Sequence, residues 1–452
     1  MTAPFVAHTD EEIAEMLGFL GLQSLDELFA AVPAALRLAG GLDLPPSASE
    51  ADVVDELEEL AARNRPAGSR LVCFAGAGAY DHEIPAVVKA LASRSEFVTA
   101  YTPYQPEVAQ GVLEAVFEFQ SMVARLAGLE IANASLYDGA ISLVEGSNLA
   151  AAATGNQRIV CSAGVNPRWR ETLETFSRGS GHAIEVVPLG PSGTTDWSSV
   201  AEAGEPAGAI AVAYPNFLGC LEDLTEARRA ADATGARLLV CFDPICMGVL
   251  RTPGSFGADV VVGEGQALGT GLGFGGPYLG LFTCRLADVR RLPGRLVGQT
   301  VDTEDRPAYV TTLRAREQDI RRERASSNVC TNQTLMAVTA AIQLGWLGTS
   351  GLREVALRSA RASRYLHETL LAVPTASPVT TAATLREFAV RTPVPAPTLI
   401  ERLVDDGFLA GVAVGQGFEG TYFEDSLLVA ATERRTRAEI DAFAAAFEKA
   451  SR

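Results

Sequence analysis

Two short stretches hold the side chains best suited to chemistry. The first is Thr99-Ala-Tyr-Thr-Pro-Tyr-Gln-Pro-Glu107. Pro103 and Pro106 stiffen it and hold off a helix until Glu107. Tyr101 and Tyr104 carry hydroxyls at the ends of rigid rings, a form suited to orienting a carboxylate. Thr102, Gln105 and Glu107 add further polar groups. The same run also reads as a packed loop whose Pro-Glu starts the next helix. The second stretch is Tyr80-Asp81-His82. A histidine beside an aspartate can serve as an acid–base pair, or each can give hydrogen-bonded support, since sequence neighbours rarely face one another. Two further carboxylates sit at element ends. Asp138 stands where Leu136-Tyr-Asp-Gly139 opens a helix, as a cap whose charge would repel an anion. Asp243 follows an apolar strand and precedes Pro244, the setting of a strand-end turn residue.

Other chemistries find little support. Four histidines (8, 82, 182 and 367) show no ligand spacing, so no metal site is expected. Seven cysteines include no CxxC pair and lie mostly in apolar runs, which reads as buried free thiols in a reducing compartment. The glycines of 263–280 lack an ordered strand–GxGxxG–helix context and include Pro277. Close backbone approach at a subunit seam fits them better than dinucleotide binding. Arg314 to Arg324 reads as a basic helix, either salt-bridged against solvent or a subunit, or facing an acidic partner. The net charge of -18 disfavours nucleic acid and anionic membrane surfaces. With no basic-then-apolar leader and no apolar run of roughly 18 residues, a cytoplasmic protein is expected.

The elements that must position these residues alternate. Residues 1–69 read as an N-terminal helical arm, with helices opened by Thr9 and Ser24 and a third from Ser47 to Ala62. From 70 to 345, apolar strands (Arg158–Ser162, Ile184–Val187, Ala209–Ala213, Arg237–Phe242, Val260–Val262, Tyr278–Thr283) alternate with helices (Glu107–Ala127, Ala140–Ala153, Pro167–Phe176, Leu224–Ala233). That pattern predicts a large, mostly parallel sheet covered on both faces. Residues 312–346 read as a long helical linker, and 346–452 as a small C-terminal α+β domain with helices Leu352–Val373, Ala396–Asp406 and Arg437–Lys449. A large sheet domain followed by a small C-terminal one is the layout of fold-type I pyridoxal-phosphate enzymes.

Several long, irregular segments narrow this further. They are Phe74-Ala-Gly-Ala-Gly-Ala-Tyr-Asp-His82, Ser93 to Glu107, Asn133-Ala-Ser-Leu-Tyr-Asp-Gly-Ala140, Gly263-Glu-Gly-Gln266, Phe274-Gly-Gly-Pro-Tyr-Leu-Gly280, Pro293-Gly-Arg-Leu-Val-Gly298 and Ser327-Asn-Val-Cys-Thr-Asn-Gln333. Together they resemble the alpha subunits (subunit 1) of bacterial two-chain glycine dehydrogenases (decarboxylating), the P-proteins of the glycine cleavage system. The resemblance implies an alpha2beta2 complex that decarboxylates glycine, releases CO2 and passes the aminomethyl group to the lipoyl arm of H-protein. It also implies that the beta chain carries the lysine and binds pyridoxal phosphate. At the lysine position this chain has Gln266, and its only lysines are Lys89 and Lys449. A glutamine cannot form an imine. In this light Asp138 blocks the phosphate turn, Asp243 is a relic of the group that faces a pyridine nitrogen, and no cofactor is expected in this chain. Tyr101, Thr102, Tyr104, Gln105, Glu107 and His82 become candidates for a wall of the shared active site.

The chain departs from the pattern at Asn166-Pro-Arg-Trp169, Gly269-Thr-Gly-Leu-Gly-Phe274 and Glu145-Gly-Ser-Asn148. Two other readings therefore stay open: a non-catalytic scaffold or regulatory subunit, and a paralogue acting on another amino acid in a specialised complex.

Overall fold

A computed structural model describes residues 7–38, 42–66, 71–100, 102–325, 327–415 and 417–452. Tyr101 lies outside the described residues. The chain divides into two units, Met1–Asn64 and Arg65–Arg452.

In the first unit, helix Asp10–Leu20 starts from a reciprocal capping box between Thr9 and Glu12, and helix Glu50–Ala62 from one between Ser49 and Asp52. The start expected at Ser24 gives only a 3-10 turn, Leu25–Phe29. Neither α-helix has a buried residue.

The second unit is organised by a seven-stranded sheet. Its strands are β1 (Ile131–Ala132), β2 (Arg158–Ser162), β3 (Ala183–Val187), β4 (Ala209–Tyr214), β5 (Arg237–Phe242), β6 (Val260–Glu264) and β7 (Gly280–Cys284), in the spatial order β1-β7-β6-β5-β4-β2-β3. β2 to β6 pair in parallel, while β7 is antiparallel to both β6 and β1. Successive residues feed opposite cores, as a pleated strand requires. Ile210, Val212, Leu238, Val240 and Val261 enter one cluster with Phe119 and Val123; Ala211, Leu239, Cys241, Val260 and Val262 enter the other with Leu143 and Leu149. Helices Gln110–Ala127 and Gly139–Thr154 cover these two faces.

A smaller antiparallel sheet is built from Ser377–Pro378, Glu387–Arg391, Leu427–Ala430 and Val412–Ala413. Its core holds Phe388, Val390, Phe443 and Phe447, with Phe74 stacked on Phe443 at 4.2 Å.

The linker expectation needs correction. Residues 314–324 form only short turns (Arg314–Arg316, Gln318–Arg321, Arg322–Arg324) rather than one basic helix. Leu313 and Arg322 adopt left-handed φ values of 54° and 53°, which no α-helix continues through. Thr334–Leu371 is helical on both sides of a kink at Gly348 (φ 58°), where the backbone is not helical, so it comprises two helices, the second matching the expected Leu352–Val373. The 345/346 boundary falls close to that kink. By length and composition alone the combined stretch could cross a membrane. Its Ala337, Ala340 and Leu344 instead pack into the large core. The hairpin Leu296–Val301 with Pro307–Thr312 was also unanticipated, because its strands lack clean alternation.

Candidate functional site

The carboxyl ends of β4, β5 and β6 meet the N-terminus of helix Gly139–Thr154, the place where open α/β sheets hold ligands. The cavity there measures only about 80 Å³ and is lined by Trp169, Asn216, Asp243, Glu264, Arg386 and Glu387, among others. A water needs roughly 10–15 Å³ on such a measure, so the space holds a few waters, well short of the ~300 Å³ at which ligand pockets begin.

Its contents are spent on one another. Gln266 is 1% exposed and fully satisfied. Its Oε1 accepts from the Tyr80 N–H at 2.9 Å, and its Nε2 donates to the carbonyls of Tyr80 (3.2 Å) and Thr270 (2.7 Å). The carboxamide thus clamps the loop carrying Tyr80. A lysine has no acceptor for the Tyr80 N–H.

The helix N-terminus is filled as well. Asp138 accepts from the Ile141 N–H at 2.7 Å, the cap read from the sequence. Glu264 adds a second carboxylate, taking the N–H groups of Gly139, Gln266 and Leu279, each at 2.9 Å. An anion at a helix N-terminus satisfies its orphan donors and its dipole. Burial pushes the Glu264 carboxyl up to about 7, against the pull of those three N–H donors. Trp169 closes the same corner: a Cβ on Gly139 would sit 2.3 Å from its ring.

Asp243 serves as both a turn residue and an ion-pair partner. One oxygen accepts from the N–H groups of Ile245 (2.9 Å) and Cys246 (3.2 Å). The other pairs with the Arg386 guanidinium. Arg386 lies flat against Tyr80, 3.2 Å from the ring centroid. Burial, the largest single effect, lowers its pKa, but the charges of Asp243, Tyr80, Cys246 and Glu387 together outweigh it and raise it. Tyr80 in turn donates to Glu387, which also accepts from the Ala77 N–H at 3.0 Å. Burial raises the Glu387 carboxyl, against the nearby charge of Arg386. A Cβ on Gly76 would come within 2.6 Å of Glu387, so only glycine fits beneath this network.

Asp81 and His82 do not face each other. Asp81 pairs with Arg434 and with Arg435 (3.3 Å). His82 is buried between Arg386, 2.9 Å from Nε2, and Glu433, 2.6 Å from Nδ1. A guanidinium only donates, so Nε2 accepts and the ring hydrogen sits on Nδ1, toward Glu433.

Thr102, Tyr104 and Gln105 line a different feature, an open groove of about 1200 Å³. It shares no lining residue with the small cavity. Glu107 sits in the 3-10 turn Pro106–Val108, so the following helix starts at Gln110 rather than at Glu107. The Gln110 carboxamide exchanges two hydrogen bonds with the Tyr309 backbone (2.9 and 2.8 Å), fastening the groove to the hairpin. Tyr104 is 47% exposed and its oxygen accepts from Arg295 at 2.8 Å. As for the glycine-rich run, the closest approach at Gly280 is to this chain's own Leu136–Asp138 turn.

Four site residues escaped the sequence reading: Glu264, Arg386, Glu387 and Arg295. Arg386-Glu387 offered a signal, two adjacent charges opening an otherwise apolar strand. Of the seven cysteines, six are buried and Cys330 is exposed.

The family model described as "Glycine cleavage system P-protein" matches residues 3–447. A probable glycine dehydrogenase (decarboxylating) subunit 1 from Chlorobium chlorochromatii (strain CaD3) is 45% identical over 444 residues, covering 98% of each chain. One from Moorella thermoacetica (strain ATCC 39073 / JCM 9320) is 45% identical over 443 residues, again 98% of each. Among solved structures, a glycine decarboxylase (P-protein) of the glycine cleavage system, in inhibitor-bound form, aligns with TM-score 0.91 and 45% identity, over 99% of this chain and 100% of that one. A Burkholderia pseudomallei sphingosine-1-phosphate lyase aligns with TM-score 0.65 at 15% identity, over 93% of this chain and 94% of that one, a likeness of fold alone.

Proposed function

The chain belongs to the glycine cleavage system P-protein family, and from that premise we propose that it is the cofactor-free half of a two-chain glycine dehydrogenase (decarboxylating). Its fold is that of fold-type I pyridoxal-phosphate enzymes. The residues of this chain do not fit that cofactor. Gln266 stands where an imine-forming lysine is needed, Glu264 and Asp138 take the helix N–H groups of Gly139 and Ile141 that a phosphate would use, and Arg386 occupies Asp243. The pyridoxal phosphate and its lysine therefore belong to a beta partner in an alpha2beta2 complex, with lipoyl H-protein as acceptor and the cytoplasm as the setting.

This chain supplies a wall of the partner's site. Thr102, Tyr104 and Gln105 form that wall along the open groove, and Glu107 lies in the turn that follows. His82 supports the small cavity instead. The observation that carries the reading is Glu264 seated on the helix N-terminus, because a phosphate there would find the Gly139 N–H already taken and the Asp138 carboxylate beside it.

The test is to purify the chain with and without a beta partner, then measure mass, cofactor content and glycine-dependent CO2 exchange. Exchange is expected only from the two-chain complex, with cofactor in the partner. Imine absorbance and exchange from this chain alone would overturn the division of labour. The scaffold reading expects groove variants to leave exchange untouched in an intact complex.

A further inference from the structure

Arg295 is 4% exposed and sits beneath the groove. Its Nη2 donates to the Tyr104 hydroxyl oxygen (2.8 Å) and the Cys330 carbonyl (3.0 Å). Its Nη1 donates to Thr331 Oγ1 (3.0 Å) and Asn332 Oδ1 (3.3 Å), while its buried Nε has no partner among the described residues. Every acceptor is neutral: among the described residues, no carboxylate forms an ion pair with Arg295. An opposing charge, Glu317, interacts with Arg295 electrostatically but forms no ion pair with it. Arg314 adds a second cation, 5.5 Å from the Tyr104 ring centroid, with Arg295 at 4.9 Å. Arg314 is paired with Asp319 at 3.1 Å.

These contacts dictate what Tyr104 can do. A guanidinium has donors and no acceptor, so the phenol oxygen must accept from Arg295. The phenol hydrogen is then left for another group, on a half-exposed ring that lines the groove. The backbone holds that ring in place: the Tyr104 N–H bonds the Thr102 carbonyl at 2.8 Å, and Pro103 lies between them. A hydroxyl whose oxygen accepts from a buried guanidinium is a polarised donor, which favours an anionic acceptor.

We propose that Arg295 is a positioning residue that aims the Tyr104 hydroxyl at the carboxylate of the amino-acid substrate, with its amino end turned away. This rests on the reading that the groove walls the partner's site. The chemistry required is an anionic oxygen, which a phosphate of the partner's cofactor could also provide, so the experiment separates the two.

In the assembled complex, Tyr104→Phe is expected to raise the glycine KM about tenfold and change kcat by less than about twofold, as for loss of one hydrogen bond to a charged group. Arg295→Gln should give a similar rise, and the double variant no more than either alone, because the pair acts as one unit. Arg295→Lys keeps the charge and a donor and should recover much of the loss. Tyr104→Phe touches an exposed ring, so folding does not confound it. Loss of bound cofactor with an unchanged glycine KM would assign the anion to the phosphate and overturn the proposal. So would additive effects of the two substitutions. If Gln105→Ala raises KM while Tyr104→Phe does not, the pair fails and the groove reading stands. If Thr102→Val, Gln105→Ala and Tyr104→Phe all leave kinetics unchanged in an intact complex, the groove reading itself fails.

Discussion

The small cavity and the large groove hold similar inventories, phenols, carboxamides, carboxylates and arginines, with opposite outcomes. In the cavity each chemically capable group is consumed by a neighbour: Gln266 by the Tyr80 backbone, Glu264 by three N–H groups, Asp243 by Arg386 and Tyr80 by Glu387. In the groove, Tyr104 accepts from Arg295 and keeps a hydrogen to give. Side chains capable of chemistry thus serve as structure here, because buried polar groups must be paired and the nearest partners are each other. Reactivity toward outside molecules survives only where pairing is left incomplete.

The strongest way to break this contrast is Arg386→Met. It strands Asp243 and Glu387 as buried carboxylates, and removing one partner of such a pair costs about 3–5 kcal/mol. Urea unfolding of the full chain should show that loss. A loss under about 1 kcal/mol would mean the network does not hold the cavity shut.

The next effect is in pH. Folding raises the Glu264 carboxyl from its ordinary 4.5 to about 7, so the folded state favours its protonated form. Its contribution is fully present below pH 4.5 and is lost as pH rises through about 7. The amount at stake is about 3 kcal/mol. Burial raises Glu145 to about 7 with the same sign. Burial also raises Glu222, Glu317 and Glu387. Unfolding free energy measured between pH 4.5 and 8 should therefore fall with pH, and Glu264→Gln should remove about 3 kcal/mol of that fall. An unchanged slope in that variant would place the titration elsewhere.

Gln266→Lys comes third. It orphans the Tyr80 N–H, a cost of about 1–3 kcal/mol. Mixed with pyridoxal phosphate, the variant should develop no imine absorbance, because Arg386 still pairs with Asp243 and Glu264 still takes the Gly139 N–H. Imine formation would show that the cavity opens readily.

The smallest effects belong to the groove. Gln105→Ala and Thr102→Val should leave the chain's stability within about 0.5 kcal/mol. In the complex, each should raise the glycine KM by roughly fivefold, about 1 kcal/mol. Equal losses of stability and affinity would erase the distinction between the two regions.

The sequence by itself determined the local and periodic features. Continuous apolar runs such as Ala209–Tyr214 and Arg237–Phe242 announced strands buried on both faces, and Asp138 before Gly139 announced a capped helix. The glutamine at 266 told what this chain cannot do, since an imine needs an amine whatever the fold. Those signals are legible because they depend on neighbours a few residues apart. The linker misled because 314–324 has the charge of a surface helix, while left-handed turns at Leu313 and Arg322 cut it into pieces.

Only the tertiary structure decided which groups neutralise which. Arg386 meets Asp243 across 143 positions, Gln266 meets Tyr80 across 186, and Arg295 reaches Tyr104 across 191. Electrostatic pairing and desolvation act through space with energies set by burial, and no spacing rule along a chain encodes which distant charge will be the one at hand.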